Sequence, residues 1–249
     1  MIKAAKNEAQ QSATDEIASA PKRARRTTLF VIGLIATVGA FATLTILVKI
    51  TPSFPIDLQI TRTLQSLRSP IFSAFMQVIS WPGFLPQCFI VSAVIVLALH
   101  IFGFQWESLA AVFATLLPPI TNLIVKETIR RPRPAMDLVD VVRILDSYSF
   151  PSGHVMFYVG FFGFLWFLVF TLLKRSWLRT TLLFFMGIFI VLVGASRIYL
   201  GQHWATDVLG AYLLGSLTLV VNVGFYRWGR KRFFVHQPAA PEKPKTADP

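Results

Sequence analysis

The amino-acid sequence predicts an all-α fold, namely a polytopic membrane protein built as a bundle of six transmembrane helices. Hydrophobic residues make up 54% of the 249 residues and charged residues only 14%, and the mean hydropathy is +0.60. This composition is too apolar for a soluble domain. The apolar residues also gather into separate runs, each long enough to cross a bilayer. Basic residues cluster at the ends of these runs, where a membrane protein faces lipid headgroups.

The net charge of +12 arises from 24 lysines and arginines against 12 aspartates and glutamates. In a soluble protein this excess would suggest nucleic-acid binding. Here the position of the basic residues beside apolar runs accounts for the excess, so no nucleic-acid partner is expected and the partners are membrane lipids. The single cysteine, Cys88, excludes an internal disulfide and a cysteine-based metal cluster.

Polar segments at both ends frame the membrane domain. Residues 1–27 lack periodic apolar positions, which predicts a disordered basic cytoplasmic tail. Residues 227–249 are basic and then rich in proline, alanine and lysine, which predicts a second disordered tail. Residues 28–226 form the membrane domain, whose predicted spans are residues 28–48, 84–102, 108–125, 155–173, 178–195 and 205–225. Pro118 and Pro119 are expected to kink the third span.

An amphipathic segment, residues 51–81, lies between the first two spans. Apolar side chains recur on one helical face, at Ile56, Ile60, Leu64, Leu67 and Ile71. Polar side chains fall on the other face, at Asp57, Thr61, Gln65 and Arg68. The pattern predicts a helix lying in the membrane surface. A helix packed over the mouth of the bundle fits the pattern equally well, and either position is near the entrance for a lipid.

The basic residues in short loops predict the orientation of the chain. Six crossings place both termini in the cytoplasm of a plasma-membrane protein, with Lys174, Arg175 and Arg179 on the same side. The long polar loop of residues 126–150 then faces the exterior. This loop nevertheless carries five cations, Lys126, Arg130, Arg131, Arg133 and Arg143. A cluster of cations on the unexpected side suggests a site for a multiply charged anion.

Three short stretches place polar groups at this outer face. Lys126 and Arg133 are seven residues apart, close to two helical turns, so both side chains could reach one point. Pro151, Ser152, Gly153 and His154 form a turn that opens the fourth span, where free backbone N–H groups favour a phosphate. The third stretch runs from Ser196 to Asp207 and contains Arg197, His203 and Asp207, the last two as an i,i+4 pair.

Together these residues supply the parts that phosphoryl transfer needs. Lys126, Arg133 and Arg197 supply charge, and the turn at Ser152 and Gly153 supplies backbone donors. Asp207 can hold the far N–H of the His203 ring and make its other nitrogen a better nucleophile. His154 is then the general acid, and later the base that activates water.

The combined pattern resembles the signature of the type 2 phosphatidic acid phosphatase superfamily. It reads Lys-x6-Arg-Pro, then Pro-Ser-Gly-His, then Ser-Arg-x5-His-x3-Asp, and it covers the chain from the third to the sixth span. The resemblance implies a six-helix bundle with its site at the outer membrane face. It also implies a phosphohistidine on His203, protonation of the leaving oxygen by His154, and orientation of His203 by Asp207. Phosphate binding would fall to Lys126, Arg133, Ser152, Gly153 and Arg197, with no metal or other cofactor.

The prediction is therefore a metal-independent lipid phosphatase. Substrates that the resemblance suggests are phosphatidylglycerophosphate, phosphatidic acid and undecaprenyl or other polyprenyl pyrophosphates. A lipid phosphotransferase would use the same covalent intermediate, so it stays an alternative. A transporter is disfavoured because ionisable residues gather at helix ends. A zinc hydrolase using His154, His203 and Asp207 is disfavoured by the neighbouring cations. Arg130 and Arg131 could be membrane anchors or ligands of a second phosphate or headgroup.

Overall fold

The structure is a computed structural model that describes the backbone of residues 2–234 and the side chains of residues 24–233. Throughout this part of the chain the regular elements are helices, and no strand occurs. We number eight of them, α1 Ile2–Ile50, α2 Pro55–Gln65, α3 Pro70–Ser80, α4 Gln87–Ile101, α5 Gln105–Ile129, α6 Gly153–Leu172, α7 Trp177–Tyr199 and α8 Ala205–Gly229. The predicted all-α class is confirmed.

Five helical segments are long and apolar enough to cross a membrane, namely Ala24–Ile50, Gln105–Ile129, Gly153–Leu172, Trp177–Tyr199 and Ala205–Phe233. A sixth crossing exists only if two shorter helical segments, Pro70–Gly83 and Gln87–Ile101, count as one span bent by 60°. The predicted second span, residues 84–102, is thus a 15-residue helix that begins later, at Gln87. Pro82 and Pro86 explain this break, because proline lacks the N–H that would continue a helix.

The structure describes part of each predicted tail. Helix α1 begins at Ile2, so helical backbone runs through residues 2–27, for which the sequence predicts disorder. The alanine, lysine, glutamate and glutamine in this segment all have high helix propensity, which favours a helical backbone. At the other end, a π-helical turn, Arg230–Phe234, extends α8 past residue 226. The rest of the predicted C-terminal tail, residues 235–249, lies outside the described residues.

The amphipathic segment forms two helices, α2 and α3, and part of its polar face turns inward. Asp57 and Thr61 are fully buried, whereas Ile56 and Leu67 are more than half exposed. Helix α2 packs against α7 and α8. This arrangement fits a helix packed over the bundle mouth better than a single interfacial helix. The reason lies in the partners of Asp57, which only the folded chain brings together.

Helix α6 occupies the centre of the bundle. Its side chains Val155, Met156, Phe161 and Phe164 are fully buried, and α6 packs against α5, α7 and α8. Helix α1 lies at the periphery against α8. Helix α6 starts at Gly153 and α8 starts at Ala205. The first turns of both helices lie at the same end of the bundle as the last turns of α5 and α7. The predicted motif residues lie on or close to these four helix ends.

Candidate active site

A cavity of about 360 Å³ opens at this end of the bundle. Five of the eight predicted site residues line it, namely Lys126, Arg133, Gly153, His154 and His203. The other three, Ser152, Arg197 and Asp207, are fully buried and do not line the cavity. The structure therefore gathers all three sequence motifs around one point, with some residues at the surface of the cavity and others behind it.

The hydrogen bond between Arg133 and His203 fixes the tautomer of the histidine. Nη1 of Arg133 lies 3.3 Å from Nε2 of His203. A guanidinium can only donate hydrogen bonds, so Nε2 must be the acceptor and the ring proton must sit on Nδ1. The Nε2 lone pair consequently points to the cationic cavity. An anion bound between Arg133 and Lys126 would meet this nitrogen directly.

His203 is held in the neutral form. Burial, together with the nearby cations Arg133, Lys126 and Arg197, holds the pKa of His203 well below its usual value of 6.5. Burial also lowers the pKa of the Arg133 guanidinium, an effect that the Asp207 carboxylate opposes. Arginine still carries its charge at neutral pH. The site thus pairs a neutral imidazole with fixed positive charge.

The predicted contact between His203 and Asp207 is longer than a hydrogen bond. Nδ1 of His203 lies 3.7 Å from Oδ2 of Asp207 and has no hydrogen-bond partner among the described residues. The two carboxylate oxygens are occupied by other donors. Oδ2 accepts from the backbone N–H of Trp204 at 2.8 Å and from the Ser149 hydroxyl. Oδ1 accepts from Nη1 of Arg131 at 2.5 Å.

Arg131 joins Asp207 to a second buried carboxylate that the sequence analysis did not single out as a site residue. Its Nη2 donates to Oδ2 of Asp57 at 2.7 Å, and both side chains are fully buried. Thr206 completes the cluster, since its N–H and hydroxyl both donate to Asp57, at 2.8 and 2.7 Å. Nε of Arg131 donates to the Pro52 carbonyl at 2.7 Å. Arg131 is therefore neither a membrane anchor nor a cavity ligand.

Arg130, the other arginine left open by the sequence, is largely exposed. It lies 4.0 Å from Glu127 across one helical turn, and its φ of 56° ends helix α5 in the left-handed region. The adjacent residues Arg130 and Arg131 thus have opposite environments. The sequence shows only two consecutive arginines and cannot distinguish them.

Backbone carbonyls hold two of the cavity cations, Lys126 and Arg133, in place. The Tyr148 carbonyl accepts from Nζ of Lys126. The Ser147 and Gln202 carbonyls accept from Arg133 at 2.7 and 2.6 Å. These acceptors carry only partial negative charge, so both cations keep most of their attraction for a phosphate.

His154 packs against residues of the turn between α3 and α4. The Phe84 ring meets the His154 ring edge-to-face at 4.5 Å, and a Cβ at Gly83 would lie 2.5 Å from Cδ2 of His154. Only glycine at position 83 lets the backbone approach the imidazole this closely. Nε2 of His154 is buried and has no hydrogen-bond partner among the described residues.

The guanidinium carbon of Arg197 lies 5.1 Å from the Phe84 ring centroid. Its Nη groups donate to the Ser80 hydroxyl at 2.7 Å and the Gln202 side chain at 2.8 Å. The N–H of Ser152 donates to the Asp207 carbonyl at 3.3 Å, so this amide is not free as the sequence suggested. Two buried atoms, Oγ of Ser152 and Nε of Arg197, have no hydrogen-bond partner in the described part of the chain.

Comparisons with known proteins agree with this geometry. The sequence profile described as the PAP2 superfamily matches residues 107–233. Phosphatidylglycerophosphatase B of Bacillus subtilis is 31% identical over 172 residues, which cover 68% of this chain and 82% of that protein. The chain belongs to the PAP2 superfamily. The predicted family, and with it an enzyme of the lipid phosphatase class, is confirmed.

Two solved structures resemble this PAP2 chain. The crystal structure of a transmembrane PAP2-type phosphatidylglycerolphosphate phosphatase from Bacillus subtilis aligns with a TM-score of 0.70 at 28% identity, covering 80% of this chain and 98% of that one. Aquifex aeolicus LpxE aligns with a TM-score of 0.55 at 22% identity, over 70% and 98% of the two chains. The second likeness concerns the fold alone. The prediction of a multi-pass membrane protein is confirmed.

The described residues of the PAP2 site contain no set of side chains placed to bind zinc, which was the alternative considered from the sequence. Within residues 24–233, no group of three histidine, cysteine, aspartate or glutamate side chains is placed to hold a metal ion. His154, His203 and Asp207 do not form such a group, because Asp207 is engaged with Arg131 and Ser149.

Proposed function

We propose that this PAP2 enzyme removes a phosphoryl group from a membrane lipid through a phosphohistidine on His203. The single observation that carries the proposal is that one cavity joins two chemically different halves. One half holds the cations and both histidines. The other half is apolar, with Leu85 from the turn before α4 and Cys88 and Phe89 from α4 on one side, and Thr115 and Pro119 from α5 on the other.

The apolar half suits a lipid that arrives from the bilayer. Leu85 and Phe89 are 71% and 45% exposed, so this wall reaches the outer surface of the bundle between α4 and α5. A lipid chain in this groove would place its headgroup among the cations. Phosphatidylglycerophosphate is the first candidate substrate, because the curated relative is named a phosphatidylglycerophosphatase. Phosphatidic acid and polyprenyl pyrophosphates are further candidates.

The proposed reaction has two steps. Nε2 of His203 attacks phosphorus, the bond from phosphorus to the ester oxygen breaks, and His154 gives that oxygen its proton. Water then attacks the phosphohistidine, His154 takes a proton from it, and the phosphorus–nitrogen bond breaks to release inorganic phosphate. Lys126, Arg133 and the Gly153 amide would stabilise the charge that develops on the equatorial oxygens.

The residues behind the cavity have supporting roles in this proposal. Arg197 and Ser152 are further phosphate ligands, and each has a buried polar atom without a partner among the described residues. Asp207 lies on the Nδ1 side of His203 and stabilises the positive charge that this ring gains on phosphorylation. A small ring rotation would shorten the 3.7 Å separation to a hydrogen bond.

The proposed orientation places this site at the outer face of the plasma membrane, with both termini in the cytoplasm. Helices α6 and α8 begin at the site, so their far ends lie at the opposite face. Lys174 and Arg175 follow the far end of α6, and Arg227 and Arg230 lie at the far end of α8. The positive-inside rule assigns that basic face to the cytoplasm.

Purified protein in detergent tests the proposed function. We expect phosphate release from phosphatidylglycerophosphate, phosphatidic acid or undecaprenyl pyrophosphate, and we expect release to survive EDTA. Loss of release in EDTA would contradict the metal-independent mechanism. Transfer of the phosphoryl group to a lipid alcohol, without phosphate release, would identify a phosphotransferase.

Filling the apolar half should impair lipid substrates selectively. Thr115→Trp would occupy the groove between α4 and α5, and we expect the KM for a long-chain lipid to rise about tenfold. Activity on a short soluble phosphomonoester should change far less. Leu116→Trp is the matched control, since Leu116 is exposed and does not line the cavity. Equal effects of Thr115→Trp on both substrates would contradict lipid binding in this groove.

The lowered pKa of His203 should appear in the pH dependence of kcat/KM. The nucleophile must be neutral, so activity should persist as pH falls through 6.5 and decline only near the lower pKa of the folded protein. Lys126→Met removes one cation and should move this acidic limb to higher pH. The ionisation of the substrate is common to both proteins, so it does not affect the comparison. An unmoved limb would contradict the assignment of the limb to His203.

A further inference from the structure

Arg143 adds another cation to the same cavity. It belongs to the outer loop but lines the cavity together with Lys126, Arg133, His154 and His203. Its guanidinium carbon lies 5.6 Å from the centroid of the Phe84 ring, the ring that Arg197 also approaches. Arg143 is exposed and forms no ion pair with a carboxylate within residues 24–233.

A buried glutamine ties the backbone at Arg143 to the phosphate-binding arginines. Nε2 of Gln202 donates to the Arg143 carbonyl at 2.6 Å, while its Oε1 accepts from Arg197 at 2.8 Å. The backbone carbonyl of the same Gln202 accepts from Arg133 at 2.6 Å. Gln202 is 2% exposed. Gln202 therefore links the backbone of Arg143 to the guanidinium groups of Arg133 and Arg197.

The loop before Arg143 is fixed to the rest of the site as well. The Val142 N–H donates to the Leu200 carbonyl at 3.2 Å, and Gln65 bonds both the N–H and the carbonyl of Asp140. Gly201 has a φ of 65°, and a Cβ there would collide with the Asp140 carbonyl. A glycine is thus required where the loop crosses this turn. The backbone of this loop is held on both sides, so the Arg143 side chain starts from a defined position at the cavity rim.

The positive charge of Arg143 repels those of Lys126 and Arg133, and the binding of a single phosphoryl group does not require this additional cation. The transferred phosphoryl group already has Lys126, Arg133 and the Gly153 amide around it. An exposed guanidinium at the rim keeps all its donors available for a second anion, and it can bind two phosphate oxygens at once. The headgroup of a lipid in the apolar groove would extend past this rim.

We propose that Arg143 binds a second phosphoryl group of the substrate and so determines headgroup specificity. This inference rests on the proposed function. The second group would be the phosphodiester of phosphatidylglycerophosphate or the other phosphate of a polyprenyl pyrophosphate. Phosphatidic acid has no such group. The enzyme should accordingly prefer lipids that carry two phosphates.

Arg143→Gln tests this assignment in the full-length protein. We expect kcat/KM for phosphatidylglycerophosphate or undecaprenyl pyrophosphate to fall at least about tenfold, as for loss of a hydrogen bond to a charged group. The fall for phosphatidic acid should be about threefold or less. Comparing the two lipids that carry two phosphates shows which second phosphate Arg143 binds, because only the lipid whose second phosphate reaches Arg143 will show the larger fall.

Arg68→Gln is the matched control. Arg68 is exposed, lies beside the same outer loop and does not line the cavity. The substitution therefore removes the same charge from the same face. If Arg143→Gln lowered kcat/KM equally for phosphatidic acid and for both lipids that carry two phosphates, the proposal would be overturned. It would also be overturned if Arg68→Gln caused the same losses as Arg143→Gln.

A binding measurement keeps this test separate from the proposed function. If the wild-type protein hydrolyses none of the lipids, thermal stabilisation by inorganic pyrophosphate can be compared with that by inorganic phosphate. Arg143→Gln should weaken the stabilisation by pyrophosphate more than that by phosphate. An equal change for the two ions would overturn the role of Arg143 even without turnover.

Discussion

Replacing His203 by alanine should abolish phosphate release, with a loss of at least about a thousandfold. Removal of the His203 ring takes away the proposed nucleophile, whose Nε2 lies beside Arg133 in the cavity. The measurement is phosphate release from the preferred lipid at saturating concentration. His100→Ala serves as the control, because His100 is an exposed histidine near the far end of α4.

The companion variant His154→Ala should respond to the leaving group. General acid catalysis contributes about 10²- to 10⁴-fold, and most where the leaving oxygen is a poor leaving group. We therefore expect a large loss on a phosphomonoester, whose leaving group is an alkoxide, and a smaller loss on a pyrophosphate. Equal losses on the two would contradict the role of His154 as the acid.

Replacing Arg131 by methionine should destabilise the whole site. The change leaves the Asp57 and Asp207 carboxylates fully buried without the cation between them, which costs about 3–5 kcal/mol for a broken buried ion pair. We expect a large fall in the unfolding temperature in detergent, together with loss of activity. Unfolding followed by intrinsic tryptophan fluorescence would measure it.

The neighbouring residue provides the control for this prediction. Arg130→Met removes the same charge from an exposed side chain, so its unfolding temperature should stay close to that of the wild type. Adding Asp57→Asn to Arg131→Met should recover part of the lost stability, because one of the two unpaired carboxylates is then neutral. Equal unfolding temperatures for the Arg130 and Arg131 variants would contradict the account of the buried cluster.

The features that could be predicted from the sequence are those that depend on local pattern and on the spacing of motifs. Most of the helices were predicted from apolar runs, because a helix must be about as long as the bilayer is thick in order to cross it. The motif residues converge because they lie at helix ends: Lys126 at the end of α5, Gly153 at the start of α6, and Arg197 at the end of α7. Once these helices pack side by side, their motifs meet at one face.

What the sequence could not predict depends on tertiary partners. Asp57 reads as part of the polar face of an amphipathic helix, yet the partner that buries it, Arg131, lies 74 residues away. Phe84 and Gln202 carry no motif signal either, because an aromatic residue or a glutamine at a helix end is common. The only available signal for Asp57 was a carboxylate in an otherwise apolar segment, which in a membrane protein requires a partner.

Trapping of the covalent intermediate tests the central claim most directly. Lipid substrate labelled with ³²P would be mixed with enzyme, quenched within milliseconds in strong base, and the protein examined for bound label. We predict a phosphoprotein that is stable in base and labile in acid, that is absent in His203→Ala, and that maps to the peptide containing His203. Full catalytic activity with no such intermediate, or a label on another residue, would contradict the phosphohistidine mechanism.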